Sequence, residues 1–307
     1  MRVFVTGASG YIGGSVAARL VAEDHQVSGL VRSQEAAAKV KALGIAPVHG
    51  TLADRDLLVD AARAADAVVN AANSDNRDVI EAILPALAGT GKLFLQTSGS
   101  SIVGDNAGGE PSEKVYDEDT PVTPLADKVE RVAINDRVRA AAGDGVRGVV
   151  LCPTLIYGTG QGVHKDSIQV PQLIDLARKS GVARHVGRGL NVWSNVHIDD
   201  LVDLYLLAIE KAPPGSFFYA ENGEASMKAL AEAISRLLGF GGRTEAIALE
   251  DAIAEWGGVA AAFTFGSNSR VRARRARADL GWRPHRIGLL EDVEHGSYRA
   301  AATRSSA

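Results

Sequence analysis

Residues 2 to 14, Arg2-Val-Phe-Val-Thr-Gly-Ala-Ser-Gly-Tyr-Ile-Gly-Gly14, decide how the rest of the chain is read. Val3, Phe4 and Val5 form the short unbroken apolar run of a central parallel strand, which is covered on both faces. The run stops at Gly7, and Gly7, Gly10 and Gly13 then recur every third residue. In that pattern the first glycine permits a tight turn, the second lets backbone approach a pyrophosphate, and the third lets helix pack on strand. Ile12, Val16 and Leu20 follow at helical spacing. The free N–H groups and positive dipole end of that helix complete an anion site, to which Ser9, Tyr11 and Ile12 belong by position.

The pattern continues outward as alternating strands and helices. Gln26 to Val31 reads as a strand, Gln34 to Leu43 as a helix and Ala46 to His49 as a strand. Asp54 is a good N-cap for a helix through Ala65. Ala67 to Ala71, a helix striped by Val79, Ile80, Ile83, Leu84 and Leu87, and Leu93 to Thr97 come next. A long loop from Ser98 to Pro124, a helix over 126 to 142 and a strand from Gly148 to Cys152 complete the series. This order predicts an α/β fold, a Rossmann-type doubly wound parallel sheet.

At 307 residues, with 46% hydrophobic and 23% charged residues, the composition is that of an ordinary globular chain. A net charge of −4 gives no basic field for nucleic acid. No apolar run approaches membrane-spanning length, and the chain opens directly on the first strand, so the expectation is a cytoplasmic protein without a membrane partner. The lone cysteine, Cys152, excludes an intramolecular disulfide and belongs to core packing. There is no His-Glu-x-x-His, no cysteine pair and no Gly-x-Ser-x-Gly, which argues against a metal site and a serine hydrolase. The expected partner is a small-molecule substrate, bound by a monomer or homodimer.

Thr6 to Gly13 resembles, position for position, the Thr-Gly-x-x-Gly-x-x-Gly signature of the extended short-chain dehydrogenase/reductase family, which contains nucleotide-sugar epimerases and dehydratases. Pro153-Thr-Leu-Ile-Tyr157-Gly158, Val196-His-Ile-Asp-Asp200 and Leu280-Gly-Trp-Arg-Pro284 resemble later segments of the same family. The resemblance implies a cofactor domain over 1–155 with 192–211, whose sheet receives a late strand near the His-Asp-Asp segment. It also implies a smaller C-terminal α/β substrate-binding domain over 156–191 with 212–307.

Cofactor choice is read at the end of the second strand, where an acid would bind the ribose hydroxyls of NAD and an arginine would accommodate the 2′-phosphate of NADP. Val31-Arg32-Ser33 offers a guanidinium and a hydroxyl, with no acid before Glu35, so NADP is favoured over NAD. By resemblance Thr51 and Leu52 meet adenine, with Thr51 standing where the family has aspartate. Ala71, Ala72 and Asn73 line the ribose and nicotinamide side, and Thr97 and Pro153 belong to the same surface; turn chemistry is the alternative for Asn73.

The catalytic residues are where this chain departs from the family. Family members that move hydride use Tyr-x-x-x-Lys, in which one helical turn aligns the pair and the lysine lowers the tyrosine pKa. Here no tyrosine has a lysine four residues later; alignment on Glu130 puts Val122 and Ala126 there, and using Lys128 puts Pro124 at the tyrosine. The family's serine or threonine falls on Gly99, flanked by Ser98 and Ser100. Ser98, Ser100 and, after the sixth strand, Lys165 are therefore the candidate proton donors, against the alternative of polar turn residues. Three functions fit: an NADP-dependent oxidoreductase acting on a small carbonyl, a nucleotide-sugar epimerase or dehydratase, and a non-enzymatic NADP sensor.

Overall fold

The computed structural model describes residues 1–302. Its first half is the expected alternation: β1 (Arg2–Thr6), α1 (Tyr11–Ala22), β2 (Gln26–Val31), α2 (Gln34–Ala42), β3 (Ala46–His49), α3 (Arg55–Ala64), β4 (Ala67–Asn70), α4 (Arg77–Leu87), β5 (Leu93–Thr97), α5 (Val129–Ala140) and β6 (Arg147–Pro153). The second half adds β7 (Leu155–Tyr157), α6 (Gln169–Ser180), β8 (Ala183–Val186), β9 (Val192–His197), α7 (Ile198–Lys211), β10 (Ser216–Ala220), β11 (Glu224–Ser226), α8 (Met227–Leu237), β12 (Thr244–Ile247), α9 (Leu249–Trp256), α10 (Arg274–Leu280) and α11 (Leu289–His295). A seven-stranded sheet runs β10-β6-β5-β4-β1-β2-β3, and its paired neighbours are parallel. The strand order reverses between β1 and β4, so the crevice at their carboxyl ends is the place where such sheets bind ligands.

The late strand of this sheet is β10, and not the segment next to His197-Ile-Asp-Asp200. Val192–His197 pairs instead with β7 and β11 in a separate three-stranded sheet. Ser216–Ala220 carries Phe217, Phe218 and Tyr219 and is buried almost throughout, as a strand covered on both faces must be. In β9 the buried Ser194 hydroxyl donates to the Val271 carbonyl and accepts from the Val271 N–H, while the Asn195 backbone pairs with Asn222 and Gly223. The apolar core divides accordingly. One cluster joins the large sheet to α7, β10, Val271, Leu280 and Trp282, and a second gathers Leu155, Tyr157, Trp193, Met227, Trp256, Phe265 and Leu289.

Two distant segments singled out in the sequence meet at Asp200. Its carboxylate is fully buried and accepts from the backbone N–H of His285 at 2.9 Å and of Arg286 at 3.1 Å. Trp282 Nε1 donates to the Asp200 carbonyl at 2.8 Å, and the Arg277 guanidinium lies 5.2 Å from the indole centroid. His197 caps α7, its Nδ1 accepting from Asp199 N–H at 3.1 Å. Because Trp282 is buried and satisfied, Trp282→Ala is expected to cost about 3–5 kcal/mol, read as a lower urea midpoint at unchanged slope; a loss below about 1 kcal/mol would contradict this role.

Candidate functional site

A cleft of about 560 Å³ opens at the carboxyl ends of β1 to β4. Gly7, Ser9 and Gly10 line it from the turn after β1, Arg32 from the end of β2, Thr51 and Leu52 from the turn after β3, and Ala71, Ala72 and Asn73 from the turn after β4. Leu30 and Val31 complete the wall. The turn has the geometry the glycine spacing demands. Gly7 has φ of 74°, and a Cβ there would stand 2.8 Å from the Ala71 carbonyl oxygen. A Cβ on Gly13 would stand 2.5 Å from the Gly7 carbonyl oxygen, so helix and strand cross with no room for a methyl. Gly10 is extended, accepts the first helical bond from Gly14 and lines the cleft, and a Cβ on it would stand 3.2 Å from the Gly7 carbonyl oxygen. These features fit the diphosphate of a dinucleotide, which needs backbone donors and close approach more than side chains.

The remaining predicted cofactor residues serve other contacts. The Tyr11 hydroxyl donates to the Gly158 carbonyl at 2.8 Å, fastening α1 to the loop after β7. Ile12 packs on the main core. Ser33 caps α2, its Oγ accepting from Ala36 N–H at 3.1 Å. Thr97 Oγ1 shares a hydrogen bond of 2.6 Å with Tyr205, and Pro153 pairs with Ala220 at the end of β6. Asp54 holds the N-cap position of α3 without capping it. Its Oδ2 turns back to accept from Thr51 N–H at 2.6 Å and Thr51 Oγ1 at 2.9 Å, bringing a carboxylate to the turn where the family's aspartate was missing.

Sequence reasoning missed the floor of the cleft. Thr6 Oγ1 donates to Asn70 Oδ1 at 2.5 Å, Asn70 Nδ2 to Gln96 Oε1 at 2.8 Å, and Gln96 Nε2 to the Thr97 carbonyl at 3.1 Å. This buried chain ties the ends of β1, β4 and β5 together. The signal was present as Thr6 and Asn70 closing two apolar strands and Gln96 standing next to the end of a third, and such groups persist in a core only when they are paired.

The three predicted proton donors are not brought together. Ser98 is buried beside Cys152, whose thiol desolvation pushes up to about 12. Ser100 Oγ accepts from Ser269 Oγ at 2.9 Å and so anchors the C-terminal segment. Lys165 is exposed and donates to the Gln161 carbonyl at 3.2 Å, in a loop that packs on α1 through Gly162 and Gly14. What lies at the β4–β5 end instead is Arg131, on the first turn of α5. It holds Asp75 through two bonds of 2.7 and 2.5 Å and donates to Ser101 Oγ at 2.9 Å.

The sequence profile of the NAD dependent epimerase/dehydratase family matches residues 3–218. The chain belongs to this family. Among its relatives, an uncharacterized protein of Schizosaccharomyces pombe is 32% identical over 97% of this chain and 100% of its own length. A 4-hydroxy-2-methyl-3-oxo-4-farnesyl-3,4-dihydroquinoline-1-oxide ketoreductase of Stigmatella aurantiaca is 33% identical, covering 73% of this chain and 69% of that protein. A dTDP-glucose 4,6-dehydratase of Bacillus anthracis, solved with NAD, superposes with a TM-score of 0.76 over 99% of this chain and 97% of that one, at 18% identity. This likeness is one of fold.

The sequence between Arg270 and Arg277 is rich in arginine, and these side chains form a seam of ion pairs. Arg270 and Arg272 hold Glu224, Arg274 holds Asp117, Arg275 holds Asp119 and Arg277 holds Glu221. Trp193 is a core residue whose Nε1 donates to the Ser267 carbonyl at 2.9 Å. No helix among the described residues is long and apolar enough to cross a membrane. The glycines give a paired prediction. Gly10→Val is expected to abolish dinucleotide binding in calorimetry with little change in melting temperature, because its side chain enters the cleft. Gly13→Ala meets a carbonyl oxygen and is expected to lose about 1–3 kcal/mol of stability; the reverse pattern would misplace the cradle.

Proposed function

We propose that this protein is an NADP-dependent oxidoreductase that reduces a small carbonyl or related substrate. The observation that carries the reading is the cofactor cleft itself: a glycine cradle for the diphosphate with Arg32 on its wall, at the end of β2. Arg32 has no ion pair among the described residues, and the next acid in the sequence, Glu35, is paired with Lys39 at 2.6 Å. A guanidinium so placed offers a planar fork of donors to a 2′-phosphate. When bound, the cofactor supplies hydride; the protein's part is to position the carbonyl and stabilise charge on its oxygen. The ketoreductase relative supports this choice of reaction, and the family match keeps nucleotide-sugar epimerisation or dehydration as the second reading. Ala71, Ala72 and Asn73 then face the ribose and nicotinamide, and the small side chains allow close approach.

The protein is expected to bind NADPH more tightly than NADH, and Arg32→Ala to narrow the difference. Loss of a charge-assisted contact costs roughly 1.5–3 kcal/mol, about tenfold or more in affinity. Calorimetric titration with both cofactors measures it, and equal affinities in the unaltered protein would overturn the NADP assignment. A panel of aldehydes and ketones followed by NADPH consumption tests the reaction; tight NADPH binding with no turnover across the panel would replace the enzyme by the sensor.

A further inference from the structure

Where the family's catalytic hydroxyl belongs, this chain has Gly99, and the space beside it is taken. A Cβ built on Gly99 would lie 3.3 Å from Arg131 Nη1, the same nitrogen that donates to Ser101 Oγ at 2.9 Å. The Arg131 side chain is 14% exposed, and its guanidinium is fixed on its other edge by the paired oxygens of Asp75. Asp75 is in turn joined to the cleft wall, since its N–H donates to Asn73 Oδ1 at 2.9 Å. An unbroken chain therefore runs Asn73, Asp75, Arg131, Ser101 from the cofactor cleft to the turn after β5. Arg131 keeps Asp75 ionised by holding its carboxyl below the usual range. Ser101 Oγ accepts from a cation, so its own proton is free to be donated to a second oxygen.

We propose that Ser101 and Arg131 take the place of the missing tyrosine and lysine, Ser101 as the catalytic proton donor to the substrate oxygen and Arg131 as its positioning cation. The inference rests on the reductase reading given above. In the step it describes, the carbonyl carbon accepts hydride from the reduced nicotinamide and forms a C–H bond. The π pair moves to oxygen, the Ser101 proton passes to that oxygen, and the seryl oxygen regains a proton from water. The carbonyl is reduced and the dinucleotide oxidised. Arg131 keeps its protons throughout, because a guanidinium does not deprotonate in proteins, and its fixed charge stabilises negative charge as it develops on oxygen. Asp75 orients the guanidinium and needs no proton of its own.

The test has a kinetic arm and a binding arm, both on the full chain saturated with cofactor. With any carbonyl that the unaltered protein reduces, Ser101→Ala and Arg131→Met are expected to lower kcat by about a hundredfold or more, with KM and NADPH affinity within about threefold. Arg131→Lys restores part of the loss, which a purely structural role would not produce. In the binding arm, isobutyrate, whose carboxylate mimics charge on the reacting oxygen, is titrated onto the NADP-loaded protein by calorimetry. The unaltered protein binds it, and Arg131→Met weakens binding at least tenfold with dinucleotide affinity unchanged. Isobutyrate binding that is absent from the unaltered protein or equal in Arg131→Met, or kcat in both variants within threefold of the parent, overturns the proposal. Absence of turnover on every carbonyl with the isobutyrate difference intact overturns the reductase reading and leaves the oxyanion site standing.

Discussion

The crossing of β1 and α1 at Gly7 and Gly13 is the constraint on which the rest of the structure depends. With 2.5 Å between a would-be Cβ at Gly13 and the Gly7 carbonyl, the helix can start only where the strand ends, and its free N–H groups can face only the cleft. Gly7 then sets the distance to β4, because its left-handed turn lies against the Ala71 carbonyl. The polar chain from Thr6 through Asn70 to Gln96 locks the same three strand ends from below. One turn thereby fixes both the depth of the cleft and the position of its far wall.

The two ends of the cleft differ in how they are held. At the β2–β3 end the groups are short and local: Ser33 caps its own helix, and Thr51 is held by Asp54 three residues on. At the β4–β5 end the contacts span the sequence, with Asp75 reaching Arg131 and Ser100 reaching Ser269. Through Ser269 and the arginine seam, the C-terminal segment closes over the turn after β5. The surface pairs in that seam contribute little each; the buried anchor is Glu221, whose carboxylate meets Arg277 and Ala273 N–H.

The sequence made the cradle and the first six strands legible because they rest on local period and glycine spacing, and observed bounds lie within a residue or two of the expected ones. Two features were not legible. Which late segment joins the large sheet is a matter of long-range pairing, β10 with β6 and β9 with β7, β11, Ser269 and Val271, which periodicity does not encode. The β4–β5 end was misdirected for a related reason. Ser98 and Ser100 are next to the expected position but meet Cys152 and Ser269, while Ser101 is held by Arg131, thirty residues on in the chain, a contact that no local motif encodes.

In the arrangement proposed here the dinucleotide lies across β1 from Arg32 at one end to Ser101 at the other. A crystal structure of the protein with NADP and isobutyrate measures this directly. The expected result is the 2′-phosphate within hydrogen-bond reach of Arg32, the diphosphate on Ser9 to Gly10, and an isobutyrate oxygen within reach of Ser101 Oγ beside the nicotinamide C4. A dinucleotide whose phosphate avoids Arg32, or whose nicotinamide lies away from the turn after β5, would contradict it.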